Sequence, residues 1–322
     1  MRIISTILII TSIAVLGNYI ITVMNSVIGS TYGRNQLKQC LNNPRIKEYN
    51  HILIGTSVTR ELSFPREAVK IDDNMYFNCG ISAVSVNLGF HYLILDLLAD
   101  KIDLSGKKIL IELSLQGALD SSSIITSVGG ASSGIFDIAP IKTKIFWIED
   151  FFRSDSNFEF EPNLSSMERL KKKLLTLISF IKSIYFPSTG FQYISENNDF
   201  VERKNAYKDV TSDKENINSN QVGFFTKDFK KDINKFRIDK ITELVKKQGA
   251  ELKFMIPPVN TLYSSYTGSK DIIEFNEFLI DEDIFHQAPI VMNSLDSIEY
   301  FADCCHLNNY GRKKLTKKEE VK

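Results

Sequence analysis

Ser57, Asp303 and His306 have the residue types and the placement that acyl chemistry needs. Ser57 follows Ile52-Leu-Ile-Gly-Thr56, a short apolar run that ends in small residues. A buried strand running into such a turn presents the serine at its carboxyl end, where open α/β sheets place their sites. A serine hydroxyl attacks a carbonyl only when a base takes its proton. The stretch Asp303-Cys-Cys-His306 offers that base, with an acid three residues earlier to orient the imidazole. Between them lies Asn78-Cys79-Gly80-Ile81-Ser82, where Gly80 lets backbone approach a ligand and its N–H suits a developing oxyanion. Each piece also has a plainer reading. A serine after a strand-ending glycine is an ordinary turn residue, and a D-x-x-H pair also occurs as a cap or surface pair. Arg60 suits an anionic substrate or a helix-surface ion pair. His91 lies in an apolar helical stretch and reads as packed. Glu112, inside a strand, needs a buried partner, and a salt bridge is the simplest one.

The elements around these residues alternate. His51–Gly55, Tyr76–Ile81, Lys107–Leu115, Leu252–Ile256 and Ala288–Met292 read as short buried strands. Ser85–Asp100, Thr226–Gln248, a stretch within Asp271–Phe285, and 308–318 read as helices. That rhythm predicts a three-layer α/β/α sandwich around a mostly parallel sheet. It fades between about 116 and 221, which reads as one insertion, part helix and part loop. Within it, Leu164–Phe186 has the pattern of a helix that packs on the core or touches a membrane surface. Trp147 and its aromatic neighbours read as packing of the insertion, with a glycan-lining role as the alternative.

The chain has 322 residues, 43% hydrophobic and 24% charged, with 39 basic and 39 acidic residues. This is the composition of a folded protein, and no basic excess points to nucleic acid. Ile3–Ile28 is an uncharged apolar run, long enough for one transmembrane helix. Residues 1–29 therefore read as an N-terminal membrane anchor, with a cleaved signal segment as the rival, 30–48 as a polar connector, and 49–322 as the main domain. Arg34, Lys38, Arg45 and Lys47 after the run favour a cytoplasmic domain by the positive-inside rule. The four cysteines suggest neither a metal site nor a disulfide framework, and with four histidines no metal or cofactor is expected.

Taken in order, Gly55-Thr56-Ser57, Gly80, and Asp303-x-x-His306 followed by Leu-Asn-Asn-Tyr-Gly311 resemble the blocks of the SGNH (GDSL-like) hydrolase superfamily. The likeness covers about 50–115 and 226–315. Two departures stand out. Thr56 replaces the acid of the usual G-D-S block. Ile111-Glu-Leu-Ser-Leu-Gln116 stands where the third block, with its oxyanion asparagine, belongs. The resemblance implies a flavodoxin-like sheet, catalytic Ser57, His306 and Asp303, and an oxyanion hole from the Ser57 and Gly80 N–H groups. Ser114, Gln116 or Asn78 would replace the missing asparagine. A membrane anchor with a relaxed first block resembles the subgroup that acylates envelope polymers, as in alginate acetylation and teichoic-acid D-alanylation. That implies an extracytoplasmic domain, an acyl donor, a glycan acceptor and a multi-span O-acyltransferase partner. An esterase or deacetylase, and a degenerate glycan-binding or scaffolding domain, are the alternatives.

Overall fold

A computed structural model describes residues 36–63, 67–71, 73–81, 87–114, 117–118, 139–154, 229–258, 269–282, 290–291, 298–301 and 306–317, with positions 167, 168, 171, 174 and 178. The expectations for the anchor, Ser82, Gln116, Asp303, Cys304 and Cys305, and for most of 116–221, lie outside them. No helix among the described residues is long and apolar enough to cross a membrane.

The strands are β1 (His51–Gly55), β2 (Ala68–Ile71), β3 (Asn74–Gly80), β4 (Lys108–Glu112), β5 (Glu251–Ile256) and β6 (Ile290–Val291). They form one sheet in the order β2-β3-β1-β4-β5-β6. Every neighbouring pair is parallel except the edge pair β2–β3. The two-residue side-chain period of a strand divides each central strand between two faces. Ile52, Ile54, Phe77, Cys79, Ile109, Ile111 and Phe254 point into the larger core. Leu53, Tyr76, Leu110 and Met255 point into the smaller one, with Leu62, Phe301 and Leu307. A sheet buried on both faces needs apolar residues at nearly every position, as Ile52-Leu-Ile and Ile109-Leu-Ile show.

The larger face is covered by α1 (36–42), α3 (Leu88–Lys101), α5 (Lys231–Lys247) and α6 (Ser269–Asp281). Helix α4 (Ile141–Arg153) forms a second tier. It packs on α3 and α5, and the Trp147 indole N–H donates to Gly89 O at 3.1 Å. This tier explains why α3 is buried on almost every side from Leu88 to Asp96. An interior helix has no polar face to spare, so the Asp96 carboxylate takes the Thr143 hydroxyl at 2.6 Å. Between α4 and α5, the fully buried Asp150 and Arg237 meet at 2.7 Å. The start of the region read as an insertion is thus core: Phe146, Trp147 and Phe151 are buried.

Three expectations change. The 30–48 connector is not a free linker over its described part. Helix α1 and the 3-10 turn Pro44–Glu48 seat Leu37 and Ile46 in the core. Two apolar positions in a polar stretch were too weak a periodic signal to show this. Second, Cys40 of α1 and Cys79 of β3 form a disulfide, with Cα atoms 5.5 Å apart and a sequence separation of 39. Cysteine spacing alone does not reveal such a pair. Third, β2 joins the sheet as an antiparallel edge, through a tight turn in which Asp73 adopts positive φ. Its four residues, one of them an outward lysine, carry too little pattern to read as a strand.

Closing a loop of this length removes denatured-state entropy worth about 3–4 kcal/mol. Cys40→Ser is expected to lower the unfolding free energy by about that amount, read from the urea midpoint. An unchanged midpoint would mean that the bridge does not restrain the unfolded chain.

Candidate active site

Along the sheet, the chain runs outward from β1 to β3 on one side and through β4, β5 and β6 on the other. The direction of winding therefore reverses between β1 and β4. Crevices open at the carboxyl ends of strands at such a reversal. Ser57 follows β1 there, Glu112 closes β4, and the segment after β6 delivers His306.

His306 Nε2 lies 2.8 Å from Ser57 Oγ, across 249 residues of sequence. Both side chains are half-buried. With the ring proton on Nδ1, Nε2 accepts from the serine hydroxyl, the geometry of a general base and its nucleophile. Asp303 falls outside the described residues.

Helix α2 (Ser57–Glu61) starts at Ser57, with Thr56 as N-cap. The Thr56 hydroxyl accepts from Val58 N at 3.3 Å and donates toward Glu112, 2.9 and 3.0 Å from its two carboxylate oxygens. Glu112 Oε2 also accepts from Thr56 N–H at 2.8 Å and from the Thr59 hydroxyl at 2.6 Å. The expected salt bridge is therefore corrected. Among the described residues Glu112 makes no ion pair, and hydrogen-bond donors from the serine turn offset its burial instead. Gly55 leaves room for this arrangement. A Cβ there would overlap the Thr59 hydroxyl and stand 2.5 Å from Glu112 Oε2.

Asn78 holds the other side of the turn. Its amide donates to Thr59 O and to Ser63 Oγ, each at 2.8 Å, and its Oδ1 accepts from Gly80 N–H at 2.8 Å. This alters two expected roles. Asn78 clamps β3 to α2, and the Gly80 N–H would have to leave Asn78 to serve an oxyanion. Gly80 has a packing role as well: a Cβ there would collide with the backbone of Arg60. Ser57's own N–H, at the start of a helix, has no intrahelical acceptor. Ser114 Oγ accepts from Gly117 N–H at 3.1 Å and so caps a turn beyond β4. Arg60 sits half-buried on α2.

The residues after His306 fix its approach. Phe301 and Leu307 form an antiparallel bridge, and both reach the smaller core. Fully buried Asn308 donates to Glu299 O at 2.7 Å and accepts from Tyr310 and Gly311 N–H at 2.9 and 3.0 Å. It thereby caps α7 (Asn309–Lys317) and closes the loop that carries His306. A Cβ on Gly311 would strike Tyr300 O. Arg312 pairs with Glu61 at 3.2 Å, joining α7 to the serine helix. Leu307, Asn308 and Gly311 thus each have a physical reason for their type.

No family model matches the chain, and no match to it was found among curated proteins.

His91 of α3 is buried, and among the described residues no donor or acceptor stands in good hydrogen-bond geometry to either ring nitrogen. Burial pushes its pKa below the ordinary histidine value, against the pull of the Glu112 charge. A lowered folded-state pKa means that the unfolded chain binds the extra proton first. This contribution is whole above about pH 6.5 and is lost as pH falls through the lowered value. The urea midpoint is expected to drop on acidification below about pH 6.5, and less steeply in His91→Leu. His51, lowered mainly by burial, acts in the same direction, so some slope remains in the variant. Asn308→Ala is expected to cost about 1–3 kcal/mol in the same measurement. A cost near zero would mean that the His306 loop is held by other contacts.

Proposed function

We propose that this chain performs acyl-ester chemistry of the SGNH type, most specifically O-acyl transfer to a cell-envelope polysaccharide. The observation that carries the reading is the 2.8 Å contact between His306 Nε2 and Ser57 Oγ at the carboxyl ends of the strands. The sheet adds support. Counting only the parallel strands in chain order, their spatial order is 2-1-3-4-5, that of flavodoxin-like sheets.

In the proposed reaction His306 Nε2 takes the Ser57 proton as Oγ bonds to the ester carbonyl carbon. The carbonyl electron pair moves to oxygen, and the Ser57 N–H donates to that oxyanion. The oxyanion collapses, the carbon–oxygen bond to the leaving alkoxide breaks, and the alkoxide takes the proton from His306. An acyl-serine remains. A sugar hydroxyl then gives its proton to His306 and attacks the acyl carbon. The second tetrahedral intermediate expels Ser57 Oγ, which recovers its proton from His306. Water in place of the sugar gives an esterase by the same steps. Asp303 is assigned to Nδ1 of His306 by the motif alone.

The Cys40–Cys79 bridge supports an extracytoplasmic domain, because structural disulfides persist in oxidising compartments. With the apolar run 3–28 as anchor, the domain would act beside the membrane, on an acyl group passed by a multi-span acyltransferase. A non-catalytic scaffolding reading draws on a different observation, that the Gly80 N–H is engaged by Asn78.

A fluorophosphonate separates these readings. The full-length protein in detergent is expected to gain one adduct at Ser57, read by intact mass and peptide mapping. Ser57→Ala should gain none, and His306→Ala should react on the order of a hundredfold or more slowly. No adduct on folded wild type would favour scaffolding.

A further inference from the structure

Two departures from the SGNH pattern meet in space. Thr56 stands where an acid is usual, and Glu112 stands where the third block is absent. Thr56 N–H and both threonine hydroxyls converge on the Glu112 carboxylate from the turn that bears Ser57. Glu112 is 1% exposed. Its oxygens are closed off on the third side by Gly55, the one residue type that leaves them space.

We infer that Glu112 is the positioning residue of the nucleophile: the acid absent from the serine turn is supplied by the neighbouring strand and fixes the turn from beneath. The inference rests on the proposed function for its catalytic consequence, but not for its structural one. A charged acceptor makes stronger and shorter hydrogen bonds than a neutral one. Thr56 caps, and Thr59 lies within, the five-residue helix that begins at Ser57, which is too short to hold its own shape in water. Their common acceptor sits on β4, which pairs with β1 along Ile52, Leu53 and Ile54. The serine turn is thereby tied to the two central strands of the sheet. Small misplacements of a reacting group cost large factors in rate, so loosening this tie should slow attack at Ser57 without altering how a ligand docks.

The test uses the full-length protein and three substitutions. Glu112→Gln keeps the shape and removes the charge. Thr59→Val removes one donor, and Thr59→Ser restores it. The expected result is a fall in the maximal fluorophosphonylation rate on the order of ten- to a hundredfold for Glu112→Gln. Thr59→Val should show a smaller fall, recovered in Thr59→Ser. The half-saturating probe concentration should change little, so that the loss falls on the maximal rate alone, which a merely structural role would not produce. Wild-type rates in both Glu112→Gln and Thr59→Val would overturn the inference and leave the proposed function standing. If wild type takes no label, the proposed function fails, and hydrogen–deuterium exchange of the peptide spanning 52–62 decides the inference. Faster exchange there in Glu112→Gln and Thr59→Val, with β4 and β5 unchanged, would uphold it. Unchanged exchange would overturn it.

Discussion

A buried carboxylate that makes no ion pair among the described residues must find hydrogen-bond donors, and Glu112 finds them in the residues on either side of Ser57. That requirement couples strand to turn. Thr56 can cap α2 and reach Glu112 together only if β1 and β4 keep their register, which sets Ile54 beside Ile111. Gly55 must lack a side chain, and α2 must begin at once. The position of the serine is thus a consequence of satisfying one acid.

The opposite side of the site is built from different materials. Apolar seats for Phe301 and Leu307 set the depth of the C-terminal segment, and the Asn308 side chain folds it back on itself. An ion pair between Glu61 and Arg312, whose side chains are 19% and 12% exposed, joins this segment to α2. Partial burial gives such a pair more weight than a fully solvated one would have. Ser57 and His306 therefore belong to two separately braced units that share the smaller core.

Much of this was readable from residue types. The strand His51–Gly55 was expected with these bounds, because four apolar or small residues in a row between polar ends leave little choice. Helices α3, α5, α6 and α7 lie within a few residues of their expected limits. Ser57 and His306 could be paired on paper because each sits in a motif, although sequence distance says nothing about contact. What stayed hidden depends on three-dimensional partners. Asn78 looks the same whether it points to a substrate or to Ser63. Glu112 reads as half of an ion pair until Thr56 and Thr59 are seen around it. Helix α4 begins at Ile141, after Pro140 at the N-cap with no side-chain cap bond and a Ser- and Gly-rich stretch, so local signals for its start are poor. Its place in the core is decided by Trp147 and by Arg237, a partner 87 residues beyond Asp150.

The sulfur bridge also has a mechanical meaning. Tension applied to the chain upstream of residue 36 does not have to peel away residues 41–50 one contact at a time. It passes through Cys40 into Cys79, within a strand hydrogen-bonded on both sides, by β1 and β2. Cys79 is one residue from Asn78, the clamp on the serine helix. A domain held by its N-terminal side would thus carry its load in the sheet, along a path that ends beside the helix bearing Ser57.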